Sequence, residues 1–240
     1  MAGPGSMLQF LKNQIKTSHV FWRYRHLVDP GVWQSYHADH ATERRKFYAD
    51  YMQHKRLRSV FEFGCASGPN LQSIIDHLDA GTMRGAEPND RHTTPLIVVG
   101  YDINRKAIKM AQEHLAAETR LFVNKLDKSQ LAAFLSRNGA NQFGLAIYDR
   151  VLYLLDTGAV DAHFKMLASL FEHVVIDDFH HAGDVRTNGA YCTKDYVTLL
   201  DEHGFELVVD EVSEHPAREP FFEENARRLI FRKRRGPALS

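Results

Sequence analysis

The sequence predicts an α/β fold in which helices cover both faces of a mostly parallel sheet. From about residue 57 onward, apolar runs of strand length alternate with segments of helical periodicity, which is typical of repeated βαβ units. The first apolar run leads directly into a turn of small residues and then into a helix. The last two runs, Phe205–Glu211 and Arg228–Lys233, are joined by a loop that contains two prolines, so they predict a closing antiparallel hairpin.

Each element is predicted from its periodicity and from the residues at its ends. The predicted strands are Ser59–Phe63, Leu96–Tyr101, Arg120–Val123, Phe143–Tyr148, His173–Asp177, Phe205–Glu211 and Arg228–Lys233. The predicted helices between them are Asn70–Leu78, Arg105–Ala117, Ser129–Arg137, Val160–Phe171 and Lys194–His203. Gly204 suits a left-handed cap for the last helix. Residues 79–95, which include Gly, Pro, Asn and Arg, predict an inserted loop.

The chain is expected to consist of a helical cap and one core domain. Residues 1–6 look like an expression scar, and residues 7–56 predict interrupted helices rich in aromatic and basic side chains. Residues 57–235 would form the core domain, and residues 236–240 a short tail. The aromatic side chains of the cap could roof an acceptor pocket or simply pack on the sheet. These side chains are Trp22, Tyr24, Trp33 and Tyr36.

The composition excludes several classes of protein. Of the 240 residues, 44% are hydrophobic and 25% are charged, as in ordinary globular proteins. The 30 basic residues balance the 30 acidic ones, so no net field favours a nucleic-acid partner. No apolar run approaches the roughly 20 residues that span a membrane. Cys65 and Cys192 lie in dissimilar segments, which favours free thiols and a reducing, cytoplasmic setting. The oligomeric state stays open.

The turn after the first strand is the most informative segment, with the sequence Glu62-Phe-Gly64-Cys-Ala66-Ser-Gly68. The two glycines let the backbone turn tightly, and the amides that open the next helix can donate to a carboxylate or phosphate. A dinucleotide site needs Gly-x-Gly-x-x-Gly, but Ala66 and Pro69 take the second and third glycine positions. Glu62 instead favours a cationic amino group, as in an amino acid. The alternative is a strand-to-helix turn that binds no ligand.

The second strand ends at Asp102, within Gly100-Tyr101-Asp102-Ile103-Asn104. A carboxylate at this end of a parallel strand can accept hydrogen bonds from both hydroxyls of a ribose. Its alternative role is to cap the helix that begins at Arg105. The sequence therefore predicts a nucleoside site, with the capping role left open.

These two motifs, together with Phe143-Gly144-Leu-Ala-Ile-Tyr148, resemble those of class I (Rossmann-like) S-adenosylmethionine-dependent methyltransferases over roughly Ser59 to Lys233. The resemblance implies a seven-stranded sheet in the order 3-2-1-4-5-7-6, with strand 7 antiparallel, and S-adenosylmethionine as cofactor. Two departures are Ala66 for a common middle glycine and Gly144 for an acid. The residues that the resemblance assigns to the cofactor are Glu62, Gly64, Cys65, Ala66, Ser67 and Gly68 around the methionine part, Asp102 on the ribose, Ile103 and Asp127 on the adenine, and Asp149.

The residues that follow strands four and five should face the transferred group, because ligands of open α/β sheets lie at the carboxyl ends of the strands. Methyl transfer to a hydroxyl needs a base for its proton, and histidine suits that task near neutral pH. His180 or His181 is therefore the candidate catalytic base, with Asp149 as a further catalytic candidate. The alternative for the histidines is a solvated loop pair.

Three carboxylates at the same edge also suggest a divalent cation, since magnesium prefers oxygen ligands. Asp149, Asp177 and Asp178 are the candidate ligands, and their segments resemble the magnesium motifs of macrolide- and sugar-type O-methyltransferases. In the alternative, Asp149 contacts the cofactor while Asp177 and Asp178 cap loops or bond to the N-terminal region.

The leading hypothesis is a methyltransferase that acts on a small-molecule acceptor, at oxygen in preference to nitrogen. The main alternative is a methyltransferase fold without catalysis, which serves as a binding or partner subunit. A nicotinamide-dependent oxidoreductase is a third reading, and the substituted glycine pattern disfavours it.

Overall fold

The computed structural model describes residues 23, 24, 27, 29, 31–38, 42–82, 95–183, 186–187, 191–213 and 223–234. The helices are α1 (Val32–Ala38), α2 (Glu43–Lys55), α3 (Pro69–Thr82), α4 (Arg105–Leu115), α5 (Lys128–Arg137), α6 (Thr157–Leu167) and α7 (Tyr196–Glu202). The strands are β1 (Ser59–Phe63), β2 (Ile97–Tyr101), β3 (Arg120–Val123), β4 (Phe143–Asp149), β5 (Phe171–Phe179), β6 (Arg186–Thr187), β7 (Tyr191–Cys192), β8 (Phe205–Val212) and β9 (Ala226–Lys233). Short 3-10 turns at Leu152–Leu154 and Ala168–Leu170 flank α6.

Seven of the strands form one sheet in the order β3-β2-β1-β4-β5-β9-β8. Strand β2 is parallel to both β1 and β3, whereas β9 is antiparallel to both β5 and β8. Counted along the chain, this is the order 3-2-1-4-5-7-6 with strand 7 antiparallel, so the predicted fold and topology are confirmed. The remaining strands, β6 and β7, form a separate hairpin that the sequence did not predict, because strands of two residues are too short for periodicity to reveal.

The predicted elements are present, and their bounds differ most before β5. Asp156 caps α6, because its Oδ1 accepts a hydrogen bond from the amide of Ala159 at 2.7 Å. The helix therefore begins before the predicted Val160 and ends before Phe171, which instead opens β5 as a fully buried residue. The apolar run at this point suits either a buried helix or a buried strand, so periodicity alone misplaced the boundary.

The prediction of an inserted loop at residues 79–95 was wrong for its first residues. Helix α3 continues to Thr82, so residues 79–82 are helical, and residues 83–94 lie outside the described part of the chain. In the described part, no helix combines the length and the apolar character that crossing a membrane requires.

Residues 23–146 form one compact unit, in which α1 packs on the first glycine turn. Val32 and Trp33 are buried together with Ala107 of α4, and Ala66 is partly buried against this cluster. Of the other cap aromatics, Tyr24 is half exposed, whereas Trp22 and the side chain of Tyr36 lie outside the described residues. Trp33 thus helps to pack the cap against the core domain, as in the prediction that the cap aromatics simply pack on the sheet.

The second compact unit runs from Ile147 onward and has a polar contact in its core. Tyr148 Oη and His163 Nε2 lie 2.8 Å apart, and both side chains are buried. Burial lowers the pKa of His163 to about 4, because a buried imidazolium would lose its hydration.

We expect the fold to lose stability on acidification through His163. An unfolded histidine titrates near pH 6.5, so the stabilisation from the neutral ring is complete above that pH and is lost as the pH falls towards 4. The loss amounts to about 3 kcal/mol at pH 4. Urea unfolding across this range should show a flatter pH dependence for His163→Gln. The control His54→Gln removes an exposed histidine and should keep the wild-type slope; equal slopes for wild type and His163→Gln would contradict the assignment.

Candidate functional site

The backbone after β1 turns through three residues in left-handed conformation. Gly64, Ala66 and Gly68 have φ angles of 77°, 50° and 84°. The amides of Gly64 and Cys65 both donate to the carbonyl oxygen of Tyr101, at 2.8 and 2.9 Å. These bonds fix the turn beside the end of β2, where the sequence predicted a ligand cradle.

Asp102 joins the two predicted motifs. Its Oδ2 accepts a hydrogen bond from the amide of Ala66 at 2.9 Å, and its Oδ1 accepts one from the amide of Asn104 at 2.7 Å. Each carboxylate oxygen has two lone-pair sites, so these bonds leave acceptor capacity for a bound hydroxyl. Burial raises the pKa of Asp102 to about 6, although the two amide donors oppose this shift.

Asn104, not Asp102, caps the helix that follows β2. Its Oδ1 accepts hydrogen bonds from the amides of Lys106 and Ala107 at 3.0 and 3.1 Å. Its Nδ2 donates to the carbonyl oxygen of Arg23 at 3.0 Å, which ties the N-terminal segment to this end of the sheet. The capping alternative for Asp102 therefore falls away. Sequence reasoning missed Asn104, although an asparagine directly before a helical run is a known capping signal.

Glu62 is buried in β1, and its Oε1 accepts a hydrogen bond from Asn70 Nδ2 at 2.7 Å. This contact links the acid to the first turn of α3. Ser67, also buried, donates from Oγ to the carbonyl oxygen of Trp33 at 2.9 Å. Glu62 and Ser67 thus hold the glycine turn between α3 and α1.

Cys65 is buried at the same turn. Burial raises the pKa of its thiol well above the ordinary value, and the nearby carboxylates of Glu62 and Asp102 raise it further. A thiol of this kind stays protonated at neutral pH and is a poor nucleophile. The buried side chain of Cys65 therefore has a packing role in the turn and does not act as a nucleophile.

Two other predicted cofactor residues lie at the ends of β2 and β3. Ile103 is partly buried directly after Asp102, and its contact with the adenine stays a prediction. Asp127 is exposed and caps α5, because its Oδ1 accepts hydrogen bonds from the amides of Ser129 and Gln130 at 2.8 and 3.3 Å. The contacts of Asp127 are thus those of a helix cap.

The turn offers a matched pair of substitutions at left-handed positions. A Cβ atom on Gly68 would lie 2.6 Å from Leu115 Cδ1, so Gly68→Ala combines backbone strain with a clash. We expect Gly68→Ala to lower the free energy of unfolding by about 2–4 kcal/mol. Ala66→Gly removes a Cβ from the same backbone region and should change it by less than about 1 kcal/mol. Urea unfolding measures both; similar losses would contradict the packing argument.

At the end of β4, the carboxylate of Asp178 organises the following turn. Its Oδ2 accepts hydrogen bonds from the consecutive amides of Val151, Leu152 and Tyr153, at 3.2, 2.8 and 3.1 Å. Its Oδ1 accepts a fourth, from the amide of Phe179 at 2.8 Å. The side chain is fully buried in β5, and this burial raises its pKa to about 7 against the effect of the amide donors.

Asp177 is also fully buried, and it binds the antiparallel strand β9 and the residue after β8. Its Oδ2 accepts hydrogen bonds from Arg228 Nε and one terminal guanidinium nitrogen, at 3.2 and 3.0 Å. Its Oδ1 accepts one from Ser213 Oγ at 2.5 Å. Asp177 thus fixes β9 beside β5.

The two carboxylates do not fit the divalent cation that the sequence suggested. Arg228 donates twice to Asp177 Oδ2, and three backbone amides donate to Asp178 Oδ2, so a metal at either of these oxygen atoms would have to displace an arginine or several amides. Asp149 lies 3.9 Å from Arg150 Nε, measured from Oδ1. Among the described residues, no group of three or more His, Cys, Asp or Glu side chains has the arrangement of a metal site. Asp178 thus has the loop-capping role of the alternative prediction, whereas Asp177 forms a buried ion pair with Arg228.

The two candidate bases follow β5 and differ in their contacts. His180 is partly buried; its Nδ1 lies 3.0 Å from the carbonyl oxygen of Lys194 and 3.3 Å from the amide nitrogen of Tyr196. His181 Nδ1 lies 3.2 Å from the amide nitrogen of Gly183 and 3.3 Å from its carbonyl oxygen. The imidazole of His180 is thus fixed to the start of α7 through Nδ1.

Lys194 is the functional candidate that sequence reasoning missed. It is buried, with 1% of its surface exposed, and it lies at the N-terminal side of α7. Periodicity gave no signal for it, because a single lysine at the start of a predicted helix reads as a solvated residue.

Comparison with known proteins shows similarity in fold. No family model matches the sequence, and no curated protein has a significant match to it. Three solved structures are similar. The plantazolicin methyltransferase BpumL has a TM-score of 0.55 at 11% identity and covers 96% of this chain and 100% of its own. The 1,6-didemethyltoxoflavin-N1-methyltransferase of Burkholderia thailandensis has a TM-score of 0.54 at 17% sequence identity, and the match covers 97% of this chain and 91% of that protein. The methyltransferase domain of bacterial CtHen1-C has a TM-score of 0.51 at 13% sequence identity, and the match covers 80% of this chain and 97% of that domain.

The similarity to these structures agrees with the sheet topology described above. The chain has the Rossmann-like fold of the class I S-adenosylmethionine-dependent methyltransferases.

Proposed function

We propose that this chain is an S-adenosylmethionine-dependent methyltransferase that acts on a small-molecule acceptor. The observation that carries the proposal is the bond from the amide of Ala66 to Asp102, which brings a left-handed, small-residue turn and a ribose-type carboxylate together. Two of the similar structures contain S-adenosylhomocysteine, which is what a methyl donor leaves behind.

The residues of the turn fit this cofactor. A backbone without bulky side chains from Gly64 to Gly68 lets a ligand approach closely, and Asp102 keeps acceptor capacity for ribose hydroxyls. Glu62 would act on the amino group indirectly, by holding Asn70 and the first turn of α3. When bound, S-adenosylmethionine supplies an electrophilic methyl group on a sulfonium.

We assign the proton acceptor to His180. The ring is held through Nδ1, which leaves Nε2 to take the proton of an acceptor hydroxyl. A base for a hydroxyl proton favours methylation at oxygen over nitrogen, since a neutral amine attacks without prior loss of a proton. Asp149, the last residue of β4, remains a proposed contact for the cofactor or the acceptor. The free, buried thiols of Cys65 and Cys192 are in keeping with a cytoplasmic setting.

Titration calorimetry with S-adenosylmethionine and S-adenosylhomocysteine tests the proposal first. We expect both to bind at a single site, and failure of both to bind would overturn the proposal. Incubation with methyl-¹³C-labelled donor and a panel of small phenols, alcohols and amines then tests transfer. Carbon NMR separates O-methyl from N-methyl products. Cofactor binding without transfer to any member of the panel would instead favour a non-catalytic binding subunit, and an N-methyl product would overturn the preference for oxygen.

A further inference from the structure

Lys194 is buried between two carbonyl oxygens and a carboxylate. Its Nζ donates to the carbonyl oxygen of Leu152 at 2.9 Å and to that of Cys192 at 3.3 Å. The charge of Lys194 also acts on Asp178, whose pKa it holds down against burial. A buried ammonium is costly unless it is paired in this way, so the arrangement is a specific one.

Lys194 and Asp178 both form hydrogen bonds with the short turn after β4. Asp178 accepts hydrogen bonds from the amides of Leu152 and Tyr153, which open the 3-10 turn Leu152–Leu154. Lys194 donates a hydrogen bond to the carbonyl oxygen of Leu152. The anion thus fixes the N–H groups of the turn after β4, and the cation fixes one of its C=O groups. Loss of either charge would leave the other buried and weakly compensated.

The backbone of Lys194 holds the proposed base. Its carbonyl oxygen lies 3.0 Å from His180 Nδ1 and accepts a hydrogen bond from the amide of His181 at 3.2 Å. His180 and Lys194 also form an isolated parallel bridge. One residue therefore connects the turn after β4, through its side chain, with the imidazole after β5, through its main chain.

We propose that Lys194, together with Asp178, is a positioning residue that holds His180 in the Nδ1–H tautomer and so presents Nε2 as the proton acceptor. This inference rests on the proposed function. A carbonyl oxygen can only accept, so the contact with Lys194 requires a proton on Nδ1. The amide of Tyr196 favours the opposite tautomer, but it lies farther from Nδ1, at 3.3 Å.

The charged groups around His180 suit a ring that gains a proton. Asp195, the cap of α7, interacts electrostatically with His180. Although partial burial opposes it, the hydrogen bonds from Thr198 and the charge of His180 hold the pKa of Asp195 below its ordinary value. The amide of His180 donates to the carbonyl oxygen of Asn225, which orients its backbone. An imidazolium at position 180 would keep its bond from Nδ1 to the carbonyl oxygen of Lys194 and would have the carboxylate of Asp195 nearby.

Long-range proton–nitrogen correlation spectra of ¹⁵N-labelled protein test the tautomer directly. The His180 signals are assigned by their loss in His180→Gln. Near neutral pH we expect a pyrrole-type shift at Nδ1 and a pyridine-type shift at Nε2. The reverse pattern in the wild-type chain would overturn the proposal without any need for a variant. The spectrum requires no enzymatic activity, so failure of the proposed function would show separately, as absent S-adenosylhomocysteine binding.

The role of Lys194 is tested with the charge-neutral double variant Lys194→Met, Asp178→Asn. We expect a mixture of His180 tautomers and a fall in kcat of about 10- to 100-fold, with little change in KM for S-adenosylmethionine. The matched control is Lys233→Met, because Lys233 Nζ also donates to a backbone carbonyl, that of His203 at 2.8 Å, elsewhere in the unit. The control should keep the wild-type tautomer and kcat. A double variant with the wild-type tautomer and kcat would show that Lys194 has no positioning role.

Discussion

Asp102→Ala is expected to weaken binding of S-adenosylhomocysteine by about 100-fold, on the order of 3 kcal/mol. The carboxylate would accept hydrogen bonds from two ribose hydroxyls, and bonds to a charged group are the stronger kind. The substitution also removes the acceptor for the amides of Ala66 and Asn104, so the turn itself loses a support. Titration calorimetry at pH 8 measures the loss.

Asp156→Ala is the control for a general loss of stability. Asp156 also accepts a hydrogen bond from a backbone amide, as the cap of α6, and it is not among the proposed cofactor residues. It should lower the melting temperature while leaving affinity unchanged. Unchanged affinity in Asp102→Ala would remove the assignment of this residue to the ribose.

The same carboxylate predicts how cofactor binding depends on pH. Because burial raises the pKa of Asp102 to about 6, the residue is ionised above that pH and protonated below it. Ribose hydroxyls donate to the ionised form, so affinity should be constant above about pH 7 and fall about tenfold per pH unit well below 6. Asp102→Asn cannot ionise and should bind weakly without this dependence. A wild-type affinity that does not change between pH 5 and 8 would contradict the role of the carboxylate.

His180→Gln is expected to lower kcat for a hydroxyl acceptor by a factor on the order of 100 to 10,000, which is the usual contribution of a general base. KM for S-adenosylmethionine should change little, because none of the proposed cofactor contacts involves this residue. The acidic limb of the pH profile of kcat/KM, which reports the base in the free enzyme, should disappear in the variant. Steady-state kinetics from pH 5 to 9 measure both effects.

His181→Gln distinguishes the two candidate bases. The imidazole of His181 is not the proposed proton acceptor, so its loss should leave most of the wild-type kcat and the acidic limb intact. If His181→Gln instead caused the larger loss, the base would be His181, and the tautomer argument for His180 would lose its catalytic meaning. Equal, small effects of both substitutions would favour an acceptor that needs no base.

The sheet could be predicted from the sequence because its signals are local. Each strand of the seven-stranded sheet is an apolar run of ordinary length, and the helices between them have clear periodicity. The errors occurred where local signals are weak or ambiguous: the boundary of α6 and β5, and the two-residue strands β6 and β7. The start of α6 was decided by the side-chain cap that Asp156 provides, and Phe171 proved to open β5, which spacing alone did not distinguish.

The proposed cofactor site was equally accessible to sequence reasoning, since its parts lie on short motifs directly after β1 and β2. The turn from Gly64 to Gly68 adopts the left-handed geometry that its small residues allow, and Asp102 lies against it. Ala66 shows that one glycine of the pattern can be replaced, because alanine tolerates its φ of 50° within a packed cluster.

The other carboxylates could not be assigned in this way. Asp149, Asp177 and Asp178 share a sheet edge in the sequence pattern, and a metal was a reasonable expectation for three acids. Only long-range contacts decide what each acid binds: Asp177 is bonded to Arg228, fifty-one residues away, and Asp178 to the turn that begins twenty-seven residues before it.

The sequence by itself therefore determined the strands and the small-residue turn with its carboxylate, because both depend on residue types at short spacing, whereas the order of the strands was implied only by the resemblance of these motifs to a known family. Tertiary structure alone decided which buried charges are paired, how the His180 ring is anchored and where Lys194 lies. The physical reason is that the free energy of a buried charge depends on the donors and acceptors that the folded chain brings to it from distant positions, and spacing along the chain carries no record of them.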